Sequence, residues 1–119
     1  MVFKKYDQFF WDELDNLVKN SEIVVYRPKG TVHPRFQDFI YPVDYGYLKG
    51  TSAIDGNGIN IWIGTKEPKQ IESILCTVDS LKKDTEIKIL YGCNSFEKEL
   101  IYKVHNSKYM KAVVIDRWK

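Results

Sequence analysis

The sequence predicts an α+β domain, mainly β, in which a small β-barrel carries flanking helices. Two segments, near the start and after residue 94, repeat apolar residues at helical spacing. Between and after them lie short runs rich in β-branched and aromatic residues, separated by Gly- and Pro-containing breakers. The order helix, short strands, helix, strand fits helices packed beside a small barrel better than an alternating parallel α/β sheet.

Residues 6–19, YDQFFWDELDNLVK, put Phe10, Leu14, Leu17 and Val18 on one apolar stripe of a helix. Asp7 is the expected N-cap, and Asn20-Ser21 the stop. Residues 22–26, EIVVY, read as a strand that Pro28 and Gly30 end. From Gly30 to Gly50, with Pro34, Pro42 and Gly46 between, loops and short strands are expected. Asp55-Gly56-Asn57-Gly58 is a turn, because Gly and Asn tolerate positive φ.

INIWIG (59–64) sets Ile59, Ile61 and Ile63 against Asn60, Trp62 and Gly64, a strand with one aliphatic face. After a turn at 66–70, IESILCTV (71–78) and EIKILYGC (86–93) read as strands joined by the polar turn DSLKKDT. Residues 95–107 read as a second helix, with Ser95 as N-cap and Phe96, Leu100, Ile101 and Val104 inward. MKAVVIDRW (110–118) is the last strand.

At 119 residues the chain is read as a single domain, 1–119, able to bury a core without disulfides. Cys76 and Cys93 lack metal-site spacing and read as reduced, buried thiols of a cytoplasmic protein. No apolar run approaches the ~20 residues that span a bilayer, so no membrane partner is expected. A net charge of +2 is too small to imply a polyanion, which leaves nucleic acid the least favoured partner despite 14% aromatics. Trp11, Trp62 and Trp118 read as packing residues, and His33 and His105 as exposed or hydrogen-bonded. Phe9, Phe10 and Trp11 could instead bury in a homo-oligomer interface.

YPVDYGY (41–47) is followed by DGNGIN (55–60). This layout resembles the signature region of the soluble inorganic pyrophosphatases of family I, whose usual form is YPxNYGxI and then DGDPLDVLV. The resemblance covers roughly residues 22–92 and is strongest over 27–64. It implies an OB-like five-stranded barrel with flanking helices, and metal-dependent hydrolysis of pyrophosphate to orthophosphate.

The resemblance assigns roles residue by residue. Asp55 matches a metal-ligand Asp. Asn57 stands at an Asp linked to the metals and the attacking water, and Asn60 at a third metal-ligand Asp. An Asn carbonyl can coordinate a cation, but it adds no charge and accepts no proton. Mg²⁺, or Mn²⁺, would therefore be held weakly. Asp79 and Asp84 resemble a later D-x-x-x-x-D-x-K element that serves the metals, with Glu86 at its Lys position; equally, they read as caps of a hairpin turn.

Tyr26 stands where the family has a Glu. Arg27, Lys29, His33, Arg35 and Lys49 surround the signature, and Arg27, Lys29 and Arg35 are the expected phosphate ligands. Tyr41 and Tyr45 match the signature tyrosines and, with Asp55 and Asn57, make up the expected catalytic set. Asp44 replaces a usual Asn, and its role stays open. Tyr102-Lys103 or Tyr109-Met110-Lys111 echoes a phosphate-binding Tyr-Lys pair. The sequence thus points to a pyrophosphatase-like hydrolase weakened or altered by missing carboxylates. Its alternative is a non-catalytic protein of the same fold that binds a small phosphorylated ligand or a protein partner.

Overall fold

A computed structural model describes residues 3, 6–53 and 56–118. The elements run α1 (Gln8–Lys19), β1 (Ile23–Arg27), β2 (Asp44–Leu48), β3 (Ile59–Ile63), β4 (Ile71–Asp79), β5 (Asp84–Tyr91), α2 (Ser95–Val104) and β6 (Met110–Asp116).

In α1, Asp7 accepts the amide of Phe9 at 3.0 Å, as an N-cap should. The buried stripe is Trp11 and Val18, with Leu14 and Leu17 packed beside them. Phe10, expected inward, is 46% exposed. Trp11, Leu14 and Val18 satisfy the same helical spacing one residue further on, and the larger ring takes the core.

The six strands form one mixed sheet in the order β1-β2-β3-β5-β4-β6. β3 and β5 pair in parallel; β2–β3 and β4–β5 pair antiparallel. The expected α+β class holds and the last strand falls where it was read, as β6 on the outer side of β4; the difference from the expected five-stranded barrel is that the sheet is not closed, with β1 and β6 at opposite edges. β5 also begins earlier than expected, because Val78 pairs with Thr85 and Asp79 with Asp84, carrying the hairpin down to a tight turn.

The start of α2 is corrected as well. Asn94, not Ser95, is the N-cap, and it makes a full capping box with Glu97. Glu97 and Ile101, a turn apart, therefore face inward, while Phe96 is 69% exposed. The helix stops at Val104, three residues before the predicted end.

Each face of the sheet has its own core. Leu48, Ile61, Ile71, Ile74 and Ile89 pack under α1 with Trp11 and Val18. Tyr41, Val43, Tyr45, Trp62, Leu75, Leu90 and Ala112 pack on the other face with Ile101 of α2. The expected aliphatic face of β3, Ile59, Ile61 and Ile63, packs in the α1-side core, and the opposite face is buried as well, with Ile61 and Trp62 both fully inaccessible. Trp118, read as a packing residue, is 47% exposed and lies 4.8 Å from the Arg117 guanidinium. Arg117 itself is buried and forks onto Asp15 of α1, at 2.9 and 2.8 Å. Cys93 is buried, Cys76 half-buried, and both are free thiols.

Candidate functional site

Side chains alternate along a strand, so β5 presents Asp84, Glu86, Lys88 and Leu90 to one face. Leu90 lies in the α2-side core opposite Trp62. The other three carry a polar ladder from that core outward. Cross-strand partners add Asn60, two residues before Trp62, and Thr77, opposite Glu86.

Lys88 is the centre of this ladder. Its Nζ donates to Tyr45 Oη at 2.5 Å and forms an ion pair with the Glu86 carboxylate. Both side chains are largely buried, so each charge depends on its partner. Asn60 Nδ2 donates to Glu86 Oε1 at 3.3 Å, holding the carboxylate from its other side.

The β1–β2 ladder shifts register between Val25 and Arg27, so Arg27 falls opposite Tyr45. Such a bulge sets two residues against one, and both Tyr26 and Arg27 turn toward the site. The Tyr26 and Tyr41 rings lie 5.7 and 5.5 Å from Tyr45, and Tyr45 lies 4.5 Å from Trp62. Arg27 lies close enough to Tyr41 for its charge to act on the phenol. Burial raises the Tyr41 phenol above its ordinary pKa, against the opposing pull of Arg27 and Lys88. Tyr26 is pushed up strongly, by burial first and then by Tyr45. Both phenols therefore stay protonated and able to donate at neutral pH.

Residues 30–41 fold as an arm beside these tyrosines. Gly30 N donates to Tyr41 O at 2.8 Å, and His33 N to Phe39 O at 2.8 Å. His33 Nδ1 accepts the amides of Arg35 and Phe36 at 3.0 and 3.3 Å, and its ring stacks on Tyr41 at 6.2 Å. Its pKa is lowered by burial first, then by Arg27, Arg35 and Lys82. Lys82 comes from the β4–β5 turn, near enough to the arm for its charge to act on His33.

The expected site residues divide between this place and others. Tyr41, Tyr45, Asn60, Arg27 and Arg35 belong to it. Asp55 lies outside the described residues. Asn57 is exposed in the turn before β3. Asp79 and Asp84 face each other at the hairpin end, and Asp79 Oδ1 accepts the amides of Leu81 and Lys82 at 3.0 and 2.9 Å. That is turn-capping geometry. Lys29 donates its amide to Asp44 Oδ1 at 2.9 Å, and its charge acts on Glu97. Asp44 thus shapes the loop leaving β1. Lys49 follows the far end of β2, where its amide meets Glu22 O at 2.8 Å, so the basic residues around the signature do not form one cluster. Tyr102 and Tyr109 are exposed, and Lys103 pairs with Glu99.

Lys88 and Lys82 escaped the sequence reading. Lys88 had a signal: counted back from Leu90, strand parity places it on the inward face. Lys82 had none, because only the tertiary path of the arm brings it close.

Among the described residues, no three His, Cys, Asp or Glu side chains converge as a metal site. Glu86 is paired with Lys88, and Asp79 holds turn amides. The described acids do not fit a divalent cation. No described helix is long and apolar enough to cross a membrane.

The molecule is an α+β protein with a row of polar and aromatic side chains on one face of a six-stranded mixed sheet. Solved structures share that fold. One, described as an inorganic phosphatase from Anaplasma phagocytophilum, has a TM-score of 0.59 at 14% identity, over 80% of this chain and 83% of that one. Another, an inorganic pyrophosphatase from Coxiella burnetii, has a TM-score of 0.56 at 18% identity, over 82% of this chain and 79% of that one. No protein-family model matches the sequence, and no curated protein does. At such identities the likeness is one of fold.

Proposed function

We propose that this chain hydrolyses pyrophosphate to orthophosphate at the polar face of its sheet, at a rate reduced by the amides Asn57 and Asn60. The observation that carries the reading is the row Lys88, Tyr45, Tyr41, Arg27, which sets cations and phenol donors side by side. It sits on a fold shared with a protein described as an inorganic pyrophosphatase.

In the reaction, water attacks one phosphorus, the bridging P–O bond breaks, and the departing phosphate takes up charge. Lys88 and Arg27 are suited to stabilise that charge, and Tyr41 and Tyr45 to donate to phosphate oxygens. Arg35 and Lys82 would draw the anion in from the arm and the turn. Lys29 is the third phosphate ligand that the resemblance supplies. Asp55 and Asn57 are the remaining members of the catalytic set. Mg²⁺ or Mn²⁺ would meet Asp55, Asn60, Asp79 and Asp84. The described carboxylates make no cage for that ion, so the cation is a requirement of the reading and not of the geometry.

A second reading, ligand binding without turnover, is favoured by one observation. Glu86, the acid beside Asn60, is neutralised by Lys88.

The test is phosphate release from pyrophosphate with Mg²⁺, with Mn²⁺ and with neither, in wild type, Asp55→Ala and Asn57→Asp/Asn60→Asp. Release by wild type that Asp55→Ala abolishes is the expected result. Release that survives Asp55→Ala would remove Asp55 from the mechanism. Silence in wild type with release by the double variant would establish the non-catalytic reading.

A further inference from the structure

We infer that the tip of the β4–β5 hairpin, joined by the segment leading into β6, is a docking surface for an anionic lipid bilayer, which it meets from outside without spanning it. Two stretches of chain make this surface. Ser80, Leu81, Lys82 and Lys83 form the turn between β4 and β5, and Ser107, Lys108 and Tyr109 lead into β6. The backbone ties them together. Ser80 donates its amide and its hydroxyl to Tyr109 O, at 2.8 and 3.1 Å. Two residues earlier Val78 lies directly opposite Lys111, so the two share a face.

Lys82, Lys83, Lys108 and Lys111 therefore gather at one end of the sheet, all of them exposed. Several lysines elsewhere are answered by acids: Lys66 by Glu72, Lys69 by Glu67, Lys98 by Asp116 and Lys103 by Glu99. Among the described residues the four at the tip have no ion-pair partner, and Lys111 Nζ meets only the neutral carbonyl of Ser107. The acids close by are Asp79 and Asp84, which face each other in the last pair of the hairpin. Asp79 is buried, with Oδ1 turned onto the amides of Leu81 and Lys82. Four ammonium groups thus face outward over two carboxylates, and the excess charge suits an anionic surface.

Apolar side chains stand among these cations. Leu81 is 64% exposed at the turn, and Val78 and Tyr109 are more than half exposed beside it. Val113, next along the face from Lys111, is exposed as well. Lysines around bare aliphatic groups match the chemistry of a bilayer interface. The ammonium groups meet lipid phosphates and carboxylates, Leu81 and Val78 enter the acyl boundary, and a tyrosine suits the headgroup level. A single-stranded nucleic acid would favour a groove with several stacking rings. This turn offers one ring, Tyr109, and no groove wall around it.

Co-sedimentation with vesicles tests this, comparing phosphatidylcholine alone with phosphatidylcholine containing about one-third phosphatidylserine. The expected result is binding to the anionic vesicles only, weakened by added NaCl. Lys82→Gln/Lys83→Gln and Lys108→Gln/Lys111→Gln should each lower the partition coefficient about tenfold or more. Leu81→Ser, which leaves the charge intact, should lower it about fivefold. Lys66→Ser, at the opposite end of β4, should leave it unchanged. Circular dichroism melts check that each variant is folded. Equal binding to both vesicle types, or none at low salt, would overturn the inference. So would binding that either lysine pair or Leu81 leaves unaltered, or a loss as large in Lys66→Ser. A single-stranded oligonucleotide bound in preference to the anionic vesicles would assign the lysines to nucleic acid and overturn it too.

Discussion

Trp62 donates its indole N–H to Nε2 of His105 at 3.2 Å, which joins the central strand to the C-cap of α2. An acceptor at Nε2 leaves the neutral ring's proton on Nδ1, which lies 3.0 Å from Met110 Sδ. Burial, helped by Lys88, lowers the His105 pKa to about 3.

That value sets a pH dependence. The folded ring stays neutral while the unfolded ring protonates near its ordinary 6.5. The stabilisation is complete above pH 6.5 and is lost as pH falls from there toward 3. At pH 5 the loss should be about 2 kcal/mol from this group. His33, lowered chiefly by burial, acts in the same direction. Urea midpoints at pH 7.5 and pH 5 check this, and His105→Gln should flatten most of the difference. An unchanged slope in that variant would place the effect elsewhere.

Gly46→Ala should be among the most damaging small substitutions. A Cβ there would collide with the backbone oxygen of Val24 on the paired strand β1. The neighbour is backbone and cannot step aside, so a loss of at least about 2 kcal/mol is expected. Thermal unfolding measures it. Because β1 carries Tyr26 and Arg27, ligand affinity in the variant should fall as well.

The legibility of this fold follows from how local each signal is. The positions of α1, β1, β3, β4, β5, α2 and β6 were readable because each carries its own apolar period. The edges were less so: Asn94 against Ser95 as a cap, and Trp11 against Phe10 as the inward residue, are one-residue choices that packing decides. Sheet closure was not readable, since whether β6 meets β1 depends on contacts far apart in sequence. The candidate site was half visible. The tyrosines and Arg27 stand in a recognisable motif, whereas the Lys88–Glu86 pair shows only once strand parity is tied to a known core residue. Lys82 needs the fold itself.

Glu97→Ala should cost about 2–3 kcal/mol, since it orphans several donors at once. The carboxylate accepts Thr65 N at 3.1 Å, Thr65 Oγ1 at 2.8 Å and Asn94 N at 3.0 Å. Burial pushes its pKa up, but these hydrogen bonds outweigh that and hold it below the ordinary 4.5. Its stabilisation is therefore present above pH 4.5 and is lost as pH falls below it. Chemical denaturation of the variant at pH 7.5 and at pH 4 should show the wild-type advantage shrinking at the lower pH.

Asn60→Asp should turn a hydrogen bond into a repulsion. The Nδ2 donor to Glu86 disappears, and two carboxylates come within reach of each other. Stability at neutral pH and low salt should drop by about 1 kcal/mol. If the two acids then suit a cation, Mg²⁺ should raise the melting temperature of the variant more than that of wild type. A variant that melts like wild type with and without Mg²⁺ would show that the pair cannot converge on an ion.

Arg117 and Asp15, which fork onto each other across 102 residues of sequence, bind the first helix to the chain just after the last strand. The clasp changes which amides open together. Without it, α1 would be attached by a short apolar stripe, and its amides would exchange with solvent through local detachment. With it, release of α1 requires Arg117 to lose its carboxylate inside a buried setting, so helix and sheet protection should rise and fall as one cooperative unit. In Asp15→Asn, amide exchange should split into two classes, with α1 exchanging ahead of β4 and β5.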